Sequence, residues 1–340
     1  MEPTRSTITS FLPTHIAFRA AIPSGSSKNV PDIIAIAVRL GLYLDLMLLF
    51  GLPMFGLYTL RGTERASGSV LRFRSVLATI ALAGIGLSIL GMMVLASSMA
   101  GVPLDQVDRA TVNLLISGTA IGTVWQVRVA ALLLVLYFSI VGWRRPAFAL
   151  WSLSVTAAVA LATLAWTGHG AADEGLRGWI HLGADITHLW SAGIWVGALF
   201  ALCLLIFRPA ARMAIDHIHL SHRALDGFAK VGSAVVALLI LSGFVNSWIL
   251  IGPSRLGSLL TSLYGLLLAG KLILFGVMLM LAATNRFFLT PSLAAAIETG
   301  NTSSAIGSLR RSLAIETGCA IAILALVAWL GLLAPPASGM

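Results

Sequence analysis

Long apolar blocks separated by short polar connections dominate this chain. Eight blocks reach the ~20 residues that a helix needs to cross the hydrocarbon of a bilayer: residues 33–60, 75–98, 124–143, 147–167, 180–207, 228–251, 264–284 and 313–333. The pattern predicts an all-α fold, a polytopic membrane helix bundle of eight transmembrane helices. Residues 103–121, interrupted by Asp105, Asp108 and Gly118, read as an amphipathic stretch before the third span. Residues 1–32 are polar or mixed and lack the charged start and adjacent apolar core of a cleavable signal peptide. Within them, 11–22 is a candidate interfacial helix, with a free tail as the alternative. The organisation expected is a tail over 1–32, a three-span region over 33–146 and a five-span region over 147–336.

Charge orients this bundle. The first, third, fifth and seventh connections, with Lys230 at the start of the sixth block counted in the fifth, hold 13 Lys and Arg, against 6 in the N-terminal tail and the even connections. The positive-inside rule then puts the odd connections in the cytoplasm and both termini on the outer, periplasmic side. Composition agrees with a membrane protein: 58% of residues are hydrophobic and 10% charged, where soluble domains carry roughly 25% charge. The net charge of +9 is therefore topological and does not point to nucleic acid. Cys203 and Cys319 both lie in apolar runs, without a C-x-x-C pair, so they read as small packing residues. There is no P-loop sequence to power a motor, and no nucleophile or carboxylate-pair arrangement points to an enzyme.

The chemistry concentrates at the start of the fifth span. At about 100° per residue, His181, Asp185, His188 and Trp195 share an arc of roughly 80° on one helix face. Ionisable groups are costly in lipid and face a bundle interior, a partner or a pathway. Together with His169 in the preceding connection, this face is a candidate site for copper, zinc or iron, or for haem through an axial imidazole. His181 and His188 are two turns apart, so one ion does not join both in a regular helix. The alternative is structural, with Asp185 paired to Arg128 or Arg39 and the histidines bonded to neighbours. Met92 and Met99, seven apart at the outer end of the second span, add soft thioethers that favour Cu(I); Met47 and Met54 repeat that spacing. As apolar fillers they would need no metal. The inner connection carries His217, His219 and His222, a candidate exit site or a solvated basic loop. Asp45, Arg128, Lys271 and Glu316 lie inside spans, as an ion or proton relay or as helix pairing; Glu316 is expected near Asn285 and Arg286, with Arg286 as its partner.

A series of short pieces then carries a resemblance. They are Gly168-His169-Gly170, Ala184-Asp185-Ile-Thr-His188-Leu-Trp-Ser-Ala-Gly-Ile-Trp195-Val-Gly197, Phe228-Ala-Lys-Val, Leu241-Ser-Gly243, Ser262-Leu-Tyr-Gly265 through Lys271, Asn285-Arg286, Leu313-Ala-Ile-Glu316 and Pro335. In this order, over residues 165–336, the chain resembles the CopD/PcoD family of inner-membrane copper proteins. The first half matches only in span number and in Trp125-Gln-Val-Arg128. The resemblance implies a bacterial inner-membrane protein in which 147–336 is the copper domain. It implies copper uptake from periplasm to cytoplasm in copper resistance or homeostasis, with a periplasmic copper-binding protein as partner. His169, Asp185 and His188 are the implied ligands. A haem-binding membrane redox protein and a non-transporting copper-delivery or assembly partner are the alternatives.

Overall fold

The computed structural model describes residues 29–65, 72–141, 143–167, 175–208, 215–251 and 262–333. They form ten α-helices and no strand. These are α1 Asn29–Thr59, α2 Phe73–Ala100, α3 Arg109–Gly118, α4 Ala120–Ile140, α5 Pro146–Ala162, α6 Gly175–Ile206, α7 Ile215–Ile251, α8 Leu263–Thr284, α9 Thr290–Thr299 and α10 Ser303–Leu330. Eight stretches are long and apolar enough to span a membrane, with α8 and α9 counted as one. The expected architecture is therefore the observed one.

Boundaries differ where hydropathy and helicity part. The sixth helix begins at Ile215 rather than at 228, so the histidine segment is helix and not loop. Its buried residues His217, Ile218, Ser221, Ala224 and Leu225 recur at helical spacing against the bundle. The seventh span continues through a π-turn, Asn285–Leu289, into α9, and α10 starts ten residues before its apolar block. Hydropathy marks only the part of a helix that lipid covers. Before the third span, Asp108 caps α3 by accepting from the Thr111 amide at 2.9 Å. Bonds from Thr111, side chain and backbone, hold its carboxyl below the ordinary range.

At one end of the bundle, arginines satisfy carbonyls that helix C-termini leave unpaired. Arg65 donates to Leu60 and Leu57, Arg74 to Ile140, and Arg310 to Ile206 and Arg208. Arg223 pairs with Glu64. We call this the basic end.

α1 is the hub and packs on α6, α5, α2 and α10. Its crossing with α6 is set by glycine. A Cβ on Gly51 would collide with the carbonyl oxygen of Gly193 and lie 2.8 Å from Gly197 Cα; a Cβ on Gly197 would land on Gly51 backbone. Gly193 and Gly197 form a G-x-x-x-G step, the arrangement by which membrane helices approach to backbone contact. Around it lie fully buried Leu46, Leu49, Phe55, Leu161 and Leu202. Elsewhere the faces toward lipid are apolar, as at Leu241, Phe244, Ile273 and Met280.

Gly51→Ala should lower the thermal midpoint of the detergent-purified protein. Forcing a methyl into a packed contact costs about 1–3 kcal/mol. Gly86→Ala, whose methyl would meet nothing within 4 Å, should leave the midpoint unchanged or raise it.

Candidate functional site

α7 packs on α6 and α8 packs on α10. Between α7 and α8 runs a cleft floored by α6 and α10, occupied by three cavities in series. The one farthest from the basic end, about 210 Å³, is lined by Arg39, Tyr43, Met47, Asp185, His188, Asn246, Tyr264 and Lys271 among others. The next, about 360 Å³, shares His188 and Lys271 with it and reaches Trp195 and Met278. The third, about 380 Å³, also touches Trp195 and ends at Asn285, Arg286 and Glu316 near the basic end.

The polar groups of the first cavity are held by α7. Asn246 Nδ2 donates to Asp185 Oδ1 at 2.6 Å. Asp185 Oδ2 stands 4.0 Å from Nε2 of buried His181, one helical turn away. His188 Nδ1 lies 3.0 Å from Ser242 Oγ. Gly243 leaves room for the ring: a Cβ there would sit 3.4 Å from His188 Cε1. Because a carboxylate only accepts, Asn246 must turn its NH₂ toward Asp185. Its Oδ1 is then buried without a partner. The charge of Lys271 acts on Asp185 and on His188.

The third cavity repeats this unit. Glu316, 1% exposed, accepts from Asn285 Nδ2 at 2.9 Å and from Trp195 Nε1 at 3.1 Å. Asn285 Oδ1 is buried and unpartnered. The π-turn that begins at Asn285 is the kind of helix irregularity that accompanies functional positions. Thus two carboxylate–asparagine pairs, at opposite ends of one cleft, each leave an amide oxygen unspent.

The remaining residues singled out from the sequence fall as follows. His181, Asp185 and His188 lie together as their helical face requires; His169 is outside the described residues. Met92 is buried with Ala96 and Leu115 in a separate apolar cluster, and Met99 is exposed. Met47 is the methionine that lines the cavity with Asp185 and His188. Arg128 does not pair with Asp185; its Nε donates to Thr163 Oγ1 at 2.8 Å. Glu316 does not pair with Arg286, which donates to Ala229 O at 2.9 Å and to Ser233 Oγ. Asp45 is buried facing Gly84 of α2, with Oδ2 unpartnered. His217 Nε2 lies 2.8 Å from Leu205 O; His219 is exposed and His222 half-buried at the basic end. Among the described residues, no three His, Cys, Asp or Glu side chains converge to hold a metal. Asn246, Asn285, Ser242 and Tyr264 belong to the site on geometry. Neutral amides and hydroxyls carry no charge signal in an apolar run.

Asn285→Leu removes one of the two donors to Glu316. Hydrogen bonds between membrane helices are worth about 0.6–2 kcal/mol, and the buried Glu316 oxygen that loses its donor adds to the loss. The variant should unfold at lower temperature than wild type, with Glu316→Gln in the same background restoring part of the difference.

Residues 30–179 match the family model described as the copper resistance protein D-like N-terminal domain, and residues 222–330 match that of copper resistance protein D. The chain is 45% identical over 306 residues to copper resistance protein D of Pseudomonas syringae pv. tomato, an alignment covering 89% of this chain and 97% of that protein. It is 26% identical over 261 residues to inner membrane protein YebZ of Escherichia coli (strain K12), covering 75% and 84% of the two chains. It is 28% identical over 261 residues to copper transport protein CutJ of Bacillus subtilis (strain 168), covering 75% of this chain and 46% of that one. No solved structure matches the chain.

Proposed function

The chain belongs to the copper resistance protein D family, and on that premise we propose that it carries copper through the α7–α8 cleft, from the periplasm to the cytoplasm. It is a multi-pass inner-membrane protein concerned with copper. The observation that carries the reading is the pair of carboxylate–asparagine units at the two ends of one cleft, each with a buried amide oxygen free to face a cation.

In this reading the basic end is cytoplasmic, as the positive-inside rule requires, and both termini are periplasmic. Copper enters at Asp185 and His188, delivered by a periplasmic copper-binding protein or taken from solution. Asp185 Oδ2, Asn246 Oδ1 and His188 Nε2 supply harder donors, and the Met47 thioether supplies the soft one that favours Cu(I). His181 and Ser242 fix the orientation of these ligands from behind, which is the usual work of outer-shell partners. Lys271 shares the entrance cavity with Asp185, and its charge acts on that carboxylate. An arriving cation displaces the lysine electrostatically toward the middle cavity.

The mixed nitrogen, oxygen and sulfur set at the entrance gives way to an oxygen set at Glu316 and Asn285, which holds soft copper less tightly. Release then proceeds toward His219 and His222. No nucleotide site is needed for an inward cation, because the membrane potential contributes about 2.3 kcal/mol per charge per 100 mV. The five-span region 147–336 supplies the cleft, and α1 closes one wall with Tyr43 and Met47.

The test is uptake by right-side-out proteoliposomes under an inside-negative potential. Wild type should accumulate copper, and Asp185→Ala and His188→Ala should abolish accumulation. Asn246→Leu, which removes an orienting partner, should weaken half-saturation about 10–100-fold. Wild-type vesicles that accumulate no copper would overturn transport. Copper bound at the same residues without accumulation would assign delivery to a partner instead.

A further inference from the structure

A fourth cavity, about 330 Å³, opens on the side of α1 toward α2 and α4, shares Arg39 with the entrance cavity of the cleft, and is lined by residues of α1, α2 and α4 together with Trp166 and Leu332. Its walls are apolar apart from Arg39, Arg128, Ser88, Ser98 and the edges of Trp125 and Trp166. Among the described residues no carboxylate lines it. Arg128 is 4% exposed, and its bonds go to neutral Thr163, through Nε to Oγ1 at 2.8 Å and through Nη2 to the carbonyl at 3.4 Å. Arg39 and Arg128 are close enough for their charges to act on one another. Arg39 Nε and Ser88 Oγ are both buried without a partner.

Two guanidiniums inside a membrane bundle repel each other where water does not screen them. Some compensation is visible. Arg128 leans on the C-terminal end of α5, and Arg39 abuts Gly331 at the C-terminus of α10. Each helix terminus offers about half a negative charge, which does not balance two whole cations. Asp45, lower on the same helix as Arg39, is turned to Gly84, a helical turn below Ser88, and forms no ion pair with either arginine. The unspent donors therefore converge on a volume that lacks its acceptor.

We propose that this cavity is an anion site, taking a phosphate-class oxyanion between Arg39 and Arg128, with the Ser88 hydroxyl as a third donor. Guanidinium presents paired N–H groups in the geometry of phosphate oxygens, and charge-assisted bonds of this kind are the strong ones. The Trp125 indole is already committed to the Ser88 carbonyl at 2.8 Å, which fixes α2 against α4 and keeps the three donors in place. The oxyanion is either free phosphate or the phosphodiester of an anionic lipid headgroup drawn in from the adjoining leaflet. Occupied, the site ties α1, α2 and α4 together and removes the repulsion between the arginines.

The experiment uses the full chain purified in detergent, before and after exhaustive delipidation. Phospholipid phosphorus per chain is counted by mass spectrometry. Thermal midpoints are then followed as inorganic phosphate is titrated in, against sodium chloride of equal ionic strength. Because a ligand that binds only the folded state raises its midpoint, delipidated wild type should be stabilised by phosphate beyond the chloride control. Arg39→Gln should weaken that response about tenfold or more, and Ser88→Ala by a smaller factor, since bonds to charged groups are the costlier ones to lose. Arg39 and Ser88 carry the test if Arg128→Gln does not fold. Competition by phosphatidylglycerol, with phosphorus retained before delipidation, identifies the headgroup; phosphate binding that phosphatidylglycerol leaves untouched identifies the free anion. Equal shifts in phosphate and chloride with no retained phosphorus, or an Arg39→Gln variant that responds like wild type, would overturn the site.

Discussion

The backbone contact between α1 and α6 at Gly51, Gly193 and Gly197 is the constraint on which the rest of the structure depends. Lipid tails are as apolar as leucine, so burial in the membrane does not by itself hold two helices together. Close approach does, and here it brings α1 to backbone distance from the helix that carries Asp185 and His188. That approach places Tyr43 and Met47 of α1 in the wall of the entrance cavity. It also leaves the face of α1 with Val38 and Leu42 toward α2 and α4, with Arg39 lining both cavities. One helix thereby serves two polar compartments, a cleft facing α7 and α8 and a cavity between α2 and α4.

The cleft exists because the second pair of helices does the reverse. α7 and α8 each pack on a floor helix, α6 or α10, and leave space between them. Polar side chains line that space in graded fashion. Asp185, Asn246, His188 and Lys271 stand at one end, Trp195 lies between, and Glu316 with Asn285 stands at the other. Each carboxylate has a neutral amide donor, which satisfies it without cancelling its charge. Under the proposed function, a carboxylate held by an amide, and not locked into an ion pair with Lys271 or an arginine, stays available to a cation. Arg286 and Arg128, the arginines nearest to such roles by sequence, instead spend their donors on Ala229 and Thr163.

Fold class was legible in the chain because spans are written as long apolar blocks. The ends of helices were less so: the amphipathic start of α7 carries His217 and Asp216, polar residues that lower hydropathy without lowering helicity. The candidate site was half legible. Ionisable residues at helical spacing on α6 announced themselves, and Asn285 was expected near Glu316, which it meets at 2.9 Å; Asn246 and Ser242 come from another helix, and which helices face each other is a tertiary fact. Met92 and Met47 illustrate the same point. Both occupy seven-residue methionine pairs, and only packing decides that the second reaches the cleft while the first is buried beside Leu115. The G-x-x-x-G of Gly193 and Gly197 was a readable packing signal, since small residues four apart in a membrane helix mark a close crossing.

The most direct test of the account is the copper content and X-ray absorption spectrum of the detergent-purified full chain, wild type beside Asp185→Asn and His188→Ala. The account predicts about one copper per wild-type chain, with imidazole nitrogen, oxygen and one sulfur in its coordination shell, and loss of that copper in both variants. Copper retained at wild-type stoichiometry with an unchanged spectrum in both variants would contradict it.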